Sequence, residues 1–496
     1  MVFHCKEVLQ RTDVTAGANR PFCPLRRPAA RYAATAITAL TLTTGASPVV
    51  APAHAQSRTF DAAAFERAVR EEMRTTHTLG VAAAVVSGDS VVYAKGFGVT
   101  SVEGGQPVTP ETLFRIGSTT KMFTGLAAVL LGEEGRLDLG RPVGGTVPGL
   151  HPAIARLTLH QILSHTAAVI NEASGDGPHD DAALGARVRG WGPEHLFGEP
   201  GDVYSYSSPG YWLAGHVIEV GGGKPYADVL AERIFAPLGM RRTTFRPTTA
   251  MTYPLALDHR VGADGRAVVL RPFPDDASTW PGGSMFSSAR DLARFAVAFL
   301  NGGRVDGRQL IPAAAIATMS TRQAATPDSS CGYTYGLAAC VRRGVRTLSH
   351  YGFRGGSGSV VAMAPDQRFA VIILANRNGG IFARSADLAM EQMLPFGKNV
   401  ASADSTPPRP AASGDRARLA GTYVNGPDTL RLAARGEGLV YRYGGEESEA
   451  RVGSGDRVVV VDSAGAALQE FQLVTGRTGQ ATYLYDGLNA FRKVGP

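Results

Sequence analysis

The chain has 496 residues, 44% hydrophobic and 19% charged, with 50 Lys and Arg against 43 Asp and Glu, for a net charge of +7. That length accommodates one large domain and one small one, and the composition excludes a disordered or fibrous chain. Residues 1–55 hold six basic and two acidic residues, so the remainder carries only +3 and gives little support to a nucleic-acid partner.

In chain order, Arg26, Arg27 and Arg31 precede an apolar stretch from about Tyr32 to Ala46, followed by the small-x-small run Ala53-His54-Ala55. This pattern reads as an export signal over residues 1–55, with an uncleaved anchor as the alternative. No later run reaches the roughly 18 apolar residues of a membrane span. The expectation is a mature chain without such a span, periplasmic or outside the cell. It would keep two cysteines, Cys331 and Cys340, which an oxidising compartment could join if the segment between them turns back.

Asp61 can cap a helix running to about Met73, with Phe65, Ala68, Val69 and Met73 on its apolar side. Val81 to Val86 and Val91 to Tyr93, split by Ser-Gly-Asp-Ser, read as a hairpin. Thr119 to Glu134 is a helix apolar nearly all round, which must therefore be buried, and Gly135 stops it. Residues 140–280 are rich in Gly and Pro, with short helices at Tyr211 to Val220 and Tyr226 to Phe235. Asp291 to Leu300 is another amphipathic helix, and strands follow at Ser357 to Met363 and Phe369 to Ala375. Residues 398–417 have a linker composition. Beyond them, residues 418–496 show short strands at Thr429 to Leu432, Leu439 to Tyr443, Arg457 to Val461 and Ala481 to Tyr485, a small β-barrel or sandwich by pattern.

The chemistry centres on Ser118 and Lys121, the only SxxK in a chain with six lysines. Arg keeps its proton in a protein, whereas a buried Lys can be pushed toward the neutral base. Ser118 stands where the chain enters the buried helix, and Lys121 follows one turn later on the same face. A hydroxyl beside an amine is a candidate nucleophile, and backbone N–H groups at a helix start can hold an oxyanion. Alone, the pair reads rather as a helix-capping Ser and a Lys reaching water.

Two further motifs change that balance: Tyr204-Ser205-Tyr206-Ser207-Ser208, and His350-Tyr351-Gly352-Phe353-Arg354-Gly355-Gly356. With these, residues 60–396 resemble the serine β-lactamase and penicillin-binding superfamily, in particular its class C β-lactamase, DD-peptidase and esterase branch. Further stretches carry the likeness, among them Leu159-His160-Gln161-Ile162-Leu163-Ser164-His165-Thr166 and Pro281-Gly282-Gly283. The resemblance implies an α/β (α+β) fold over residues 56–397, a mixed antiparallel sheet flanked by helices and joined to a helical subdomain, with the site between. It implies Ser118 as acylated nucleophile, Lys121 as its amine partner and Tyr206 as a proton-relaying phenol. The backbone N–H groups of Ser118 and Phe353 would form the oxyanion hole. His350 stands where many relatives have Lys, and Gly352 would let that strand approach substrate. Arg354 would either attract a substrate carboxylate or point to solvent.

Two departures stand out. Ser208 replaces the family's Asn, which donates to a substrate amide and helps hold the Lys; a hydroxyl is too short for certain reach, which weakens the case for β-lactam hydrolysis. Tyr351 replaces Thr, which favours peptidase or esterase relatives. No ExxLN, GxSxG or HExxH occurs, so a class A β-lactamase, an α/β-hydrolase and a zinc protease lose support. His160 and His165 read as buried structural residues rather than metal ligands. The sequence thus points to an exported serine hydrolase needing no metal or cofactor, acting on a peptide, amide or ester. The alternative is a penicillin-binding or scaffold protein with slow or no turnover, whose β domain binds a partner. Specificity is expected from loops at 171–200 and 242–280. Oligomeric state is open.

Overall fold

The computed structural model describes residues 58–398 and 406–495, apart from 173, 174, 263, 329 and 378. The proposed export signal lies outside the described residues. An eight-stranded antiparallel sheet runs in the order Ser90–Gly98, Gly80–Ser87, Phe369–Ala375, Ser357–Ala364, Val345–Arg354, Ala338–Arg342, Cys331–Tyr333, Ala324–Ala325. Its central strands are apolar at nearly every position because both faces are covered. Val81, Ala83 and Val85 face the helices Ala62–Thr76 and Ala383–Met393, while Ala82, Ala84 and Val86 face the larger helical core. Asp61 caps the first helix through the Ala64 N–H, as its sequence predicts.

The all-round apolar helix is Lys121–Glu133, preceded by a single 3-10 turn, Gly117–Thr120. It packs between the sheet and the helix Ser208–Gly222, which starts on the Ser207 cap with Pro209 in its first turn. The helices expected at Tyr211, Tyr226 and Asp291 are present, the first starting earlier at Ser208.

Cys331 and Cys340 face each other across the hairpin of Cys331–Tyr333 and Ala338–Arg342 and are bonded. The turn-back that the bond requires is supplied by strand pairing. Beyond this sheet, eight strands close into an antiparallel barrel: Gly421–Asn425, Asp428–Arg435, Gly438–Tyr443, Glu446–Val452, Arg457–Val461, Ala467–Thr475, Thr482–Tyr485 and Ala490–Gly495. Tyr423, Leu430, Leu432, Leu439, Val458, Phe471 and Leu484 fill its interior. Part of the stretch read as linker is ordered here: Ser413–Leu419 is a helix, and Leu419 plugs the barrel core. The Asp415 carboxylate explains the turn, accepting the Ala412 N–H at its start.

The barrel does not stand apart. Tyr483, Tyr485 and Ala490 on its outer surface pack with Ala168, Ile170, Phe197, Val203, Tyr204 and Tyr333 of the larger unit. Each aromatic or branched side chain removed from water in this cluster contributes about 1.5–3 kcal/mol.

Candidate active site

The 3-10 turn that presents Ser118 is fixed from three sides. Gly117 adopts φ +52°. A side chain there would also bring a Cβ within 2.3 Å of the Phe353 backbone nitrogen, so only glycine fits. Thr120 donates to the Gly117 carbonyl at 2.7 Å, and Ser359 to that of Ile116 at 2.7 Å. The result is a half-buried Ser118 at the floor of a cavity of about 540 Å³.

Lys121 is fully buried. Its Nζ lies 3.1 Å from Ser118 Oγ, 3.1 Å from Ser208 Oγ and 2.5 Å from the Gly282 carbonyl oxygen. Among the described residues no carboxylate pairs with it: burial, and then the positive charge of Arg354, push its ammonium well below the ordinary lysine range. Burial thus favours the neutral amine, and the Ser118 O–H is the group beside it. Ser208 reaches Lys121 although its side chain is shorter than Asn, contrary to the sequence expectation. The reason is placement: Ser208 opens its helix, and its backbone N–H is held by Asn171 Oδ1 at 3.1 Å.

Tyr206 faces the same centre, its ring 4.8 Å from Lys121 Nζ. Burial drives its phenol above the ordinary tyrosine value, and hydrogen bonds with Ser118 and Ser208 offset this only in part. Lys121 and Tyr206 are thus displaced in opposite directions, burial favouring the neutral form of each. The backbone of Tyr206 is tied to the barrel, its N–H donating to the Leu488 carbonyl at 2.9 Å.

His350 is buried, with Nδ1–H directed at the Tyr351 carbonyl at 2.6 Å and Nε2 accepting from the Tyr333 hydroxyl at 3.0 Å. Burial and the nearby Lys121 lower its value to about 3, so it is a neutral imidazole at the position where many relatives carry a cation. Gly352 does not open toward substrate. A Cβ there would sit 1.9 Å from the Ile116 carbonyl, so its task is to let the strand press against the Ser118 turn. Phe353 borders the cavity beside Ser118, in the place expected of an oxyanion-hole residue. Arg354 borders it too but does not point to solvent: it is 8% exposed and donates to Thr279 Oγ1 at 3.3 Å. Burial and Arg115 lower it to about 10, against the opposing pull of Asp275, Asp276 and Asp258.

His165 is buried, accepting the Ser207 N–H on Nδ1 at 3.1 Å with its ring 4.4 Å from that of Tyr206. His160 is half-buried and held by the Tyr335 hydroxyl at 2.8 Å. Sequence reasoning missed Tyr333, Asn171 and the barrel turn around Asp486 to Leu488, all of which border the cavity. The hairpin carrying Tyr333 was marked by its two cysteines, whereas nothing local to Asn171 or Leu488 advertises a contact so distant in sequence.

A serine at a helix start, a buried amine with no carboxylate partner among the described residues and a buried phenol define an SxxK-type site on an antiparallel sheet flanked by helices. Residues 65–392 match the family model described as Beta-lactamase, and the chain belongs to that family. It is 29% identical over 366 residues to penicillin-binding protein 4 of Amycolatopsis lactamdurans, covering 71% of this chain and 95% of that one. It is 27% identical over 344 residues to the unguisins hydrolase ungD of Aspergillus violaceofuscus (strain CBS 115571), covering 63% and 60%. The crystal structure of SurE superposes with a TM-score of 0.71 at 25% identity, covering 87% of this chain and 99% of that one. No helix among the described residues is long and apolar enough to cross a membrane.

Proposed function

We propose that this member of the hydrolase family is an exported serine hydrolase that forms an acyl-enzyme on Ser118 from a peptide, amide or ester, by the route of class C β-lactamase relatives. The observation that carries this reading is Lys121, fully buried, without a carboxylate partner among the described residues and 3.1 Å from Ser118 Oγ. In the reaction, Lys121 Nζ takes the Ser118 proton as Oγ bonds to the substrate carbonyl carbon. The oxygen of the tetrahedral intermediate lies by the Ser118 and Phe353 backbone N–H groups. As it collapses, the bond to the leaving group breaks, and the proton passes from Lys121 through the Tyr206 phenol to that group. Water then repeats the sequence, giving its proton to the same pair and releasing the acid and free Ser118.

The lowered Lys121 and raised Tyr206 support the amine as base and the phenol as relay. The kinship with an unguisins hydrolase supports hydrolytic turnover, and that with a penicillin-binding protein supports penicillin-like acyl groups. The binding-only reading drew on Ser208 reaching neither Lys121 nor a substrate amide, and the 3.1 Å contact with Lys121 weakens the first ground. The test is to incubate the protein and its Ser118→Ala variant with fluorescent penicillin, nitrophenyl esters and D-Ala-D-Ala peptides. Turnover of at least one class by the wild type and none by the variant is expected. Equal turnover by both would refute the nucleophile, and stable label without turnover would establish a binding protein.

A further inference from the structure

We infer that Asp258 is a positioning residue of the oxyanion hole: one buried carboxylate joins the two chain segments whose N–H groups receive the developing charge. The inference rests on the acyl-enzyme reading above, in which those groups belong to Ser118 and Phe353. They come from separate elements, the 3-10 turn Gly117–Thr120 and the strand Val345–Arg354, so their spacing depends on what holds the two together. A misplacement of about 1 Å is enough to cost about 10²-fold in rate.

Asp258 is fully buried and lies in neither element. On one side its Oδ2 faces Arg115 Nη1 at 3.6 Å, three residues before Ser118. Arg115 is itself buried, donates to the Pro274 carbonyl at 2.6 Å and lies 4.5 Å from the centre of the Phe273 ring. On the other side the carboxylate accepts from the Ser357 hydroxyl and the Gly356 N–H, four and three residues beyond Phe353. These form the tip of the hairpin between Val345–Arg354 and Ser357–Ala364. The tip also rests on backbone: the His259 N–H donates to the Gly356 carbonyl at 3.1 Å, and a Cβ on Gly356 would fall 2.2 Å from the His259 nitrogen. Ser359, through the Ile116 carbonyl, pins the hairpin nearer its base, and Asp258 pins its far end. A carboxylate taken out of water persists where a cation and hydrogen bonds replace its hydration, and here the replacements come from the two sides of the hole. Neither Asp258 nor Arg115 borders the cavity, so the link acts through Ser118 and Phe353 and not on substrate.

The test uses the nitrophenyl ester of butyric acid and its thiono counterpart, in which sulfur replaces the carbonyl oxygen. Sulfur accepts hydrogen bonds weakly, so a working hole favours the oxygen ester beyond the ratio of their rates with hydroxide. The ratio of the two kcat/KM values does not depend on how much of a preparation is folded. Asp258→Asn removes the charge that faces Arg115, and Ser357→Ala cuts the tie to the hairpin while leaving the ion pair. In each variant the preference for the oxygen ester should shrink about tenfold, part of the roughly 10²–10³ that loss of a whole donor costs. If Asp258→Asn does not melt cooperatively, Ser357→Ala decides. An unchanged ratio, whatever the loss of total activity, overturns the assignment and leaves the hydrolase reading intact, as does a wild type without the preference. A wild type whose Ser118 reacts with neither ester nor with fluorescent penicillin overturns the hydrolase reading, and this inference with it.

Discussion

Asp202, four residues before Tyr206, is one point at which the barrel holds the segment that carries Tyr206. Its Oδ1 accepts the Thr478 N–H at 2.8 Å and the Thr478 hydroxyl at 3.0 Å, and its Oδ2 accepts the Tyr483 hydroxyl at 2.8 Å. Asp202→Ala removes all three bonds and leaves the fully buried Tyr483 hydroxyl without its acceptor. At about 1.5 kcal/mol for each bond to a charged acceptor, the low end of the usual range, the variant should lose about 4–5 kcal/mol. Entropy of unfolding grows with chain length, so in a chain this long that corresponds to a melting temperature lower by about 3–6 °C. Ester turnover should fall as well, because the Tyr206 backbone would lose its alignment on Leu488. Burial raises the Asp202 carboxyl, but the bonds from Thr478 and Tyr483 outweigh it and hold the group below its usual range. A carboxylate lowered in the fold stabilises above its unfolded value of about 4, and the contribution disappears as pH falls through the lower folded value. Asp202→Asn should abolish that part of the acid sensitivity. Thermal unfolding across pH and nitrophenyl ester kinetics read both effects. An Asp202→Ala protein that melts within about 1 °C of wild type and turns over ester at the same rate would refute the coupling.

Lys121→Met should cut turnover by a factor of about 10²–10⁴ without lowering the melting temperature at pH 7, since it replaces a costly buried amine with an apolar side chain of similar length. The wild-type amine binds its proton less readily folded than unfolded, so wild-type stability should rise with pH through the window below the ordinary lysine value. The Met variant should lack that slope in thermal melts, and a marked loss of stability at pH 7 would refute the account. Gly352→Ala drives a Cβ against the Ile116 carbonyl and should destabilise by about 2 kcal/mol or more and end penicillin labelling of Ser118. Cys340→Ser opens the hairpin that carries Tyr333 and should cost about 2–3 kcal/mol, with dithiothreitol producing the same melting curve in the wild type.

The parts of this protein that the sequence makes legible are those whose partners are local. Ser118 and Lys121 sit one helical turn apart, the apolar strands of the sheet are continuous runs, and the cap at Asp61 reaches the Ala64 N–H. The parts that stay hidden depend on where distant segments meet. Arg354 reads as a surface charge until Thr279 and the neighbouring aspartates surround it. Ser208 looks too short until the position of its helix start is known. Half of the barrel is invisible for a different reason. Glu446–Val452 and Ala467–Thr475 each turn one polar face to water, so their composition resembles loop, and only closure of the barrel gives their apolar positions an interior. The same blindness hid Leu419, whose helix lies in a Pro- and Ala-rich stretch.

The barrel meets the reaction centre partly through main chain, at the Leu488 carbonyl that receives the Tyr206 N–H, while the side chains of Tyr485, Asp486 and Leu488 shape the cavity wall. A backbone carbonyl is the same whichever residue carries it. Within one turn, then, the mechanical link to Tyr206 is indifferent to residue identity and the wall is not. Residues such as Leu488 can be exchanged to admit a new acyl group while the tyrosine keeps its place, which makes this turn the natural site at which such a protein would diversify.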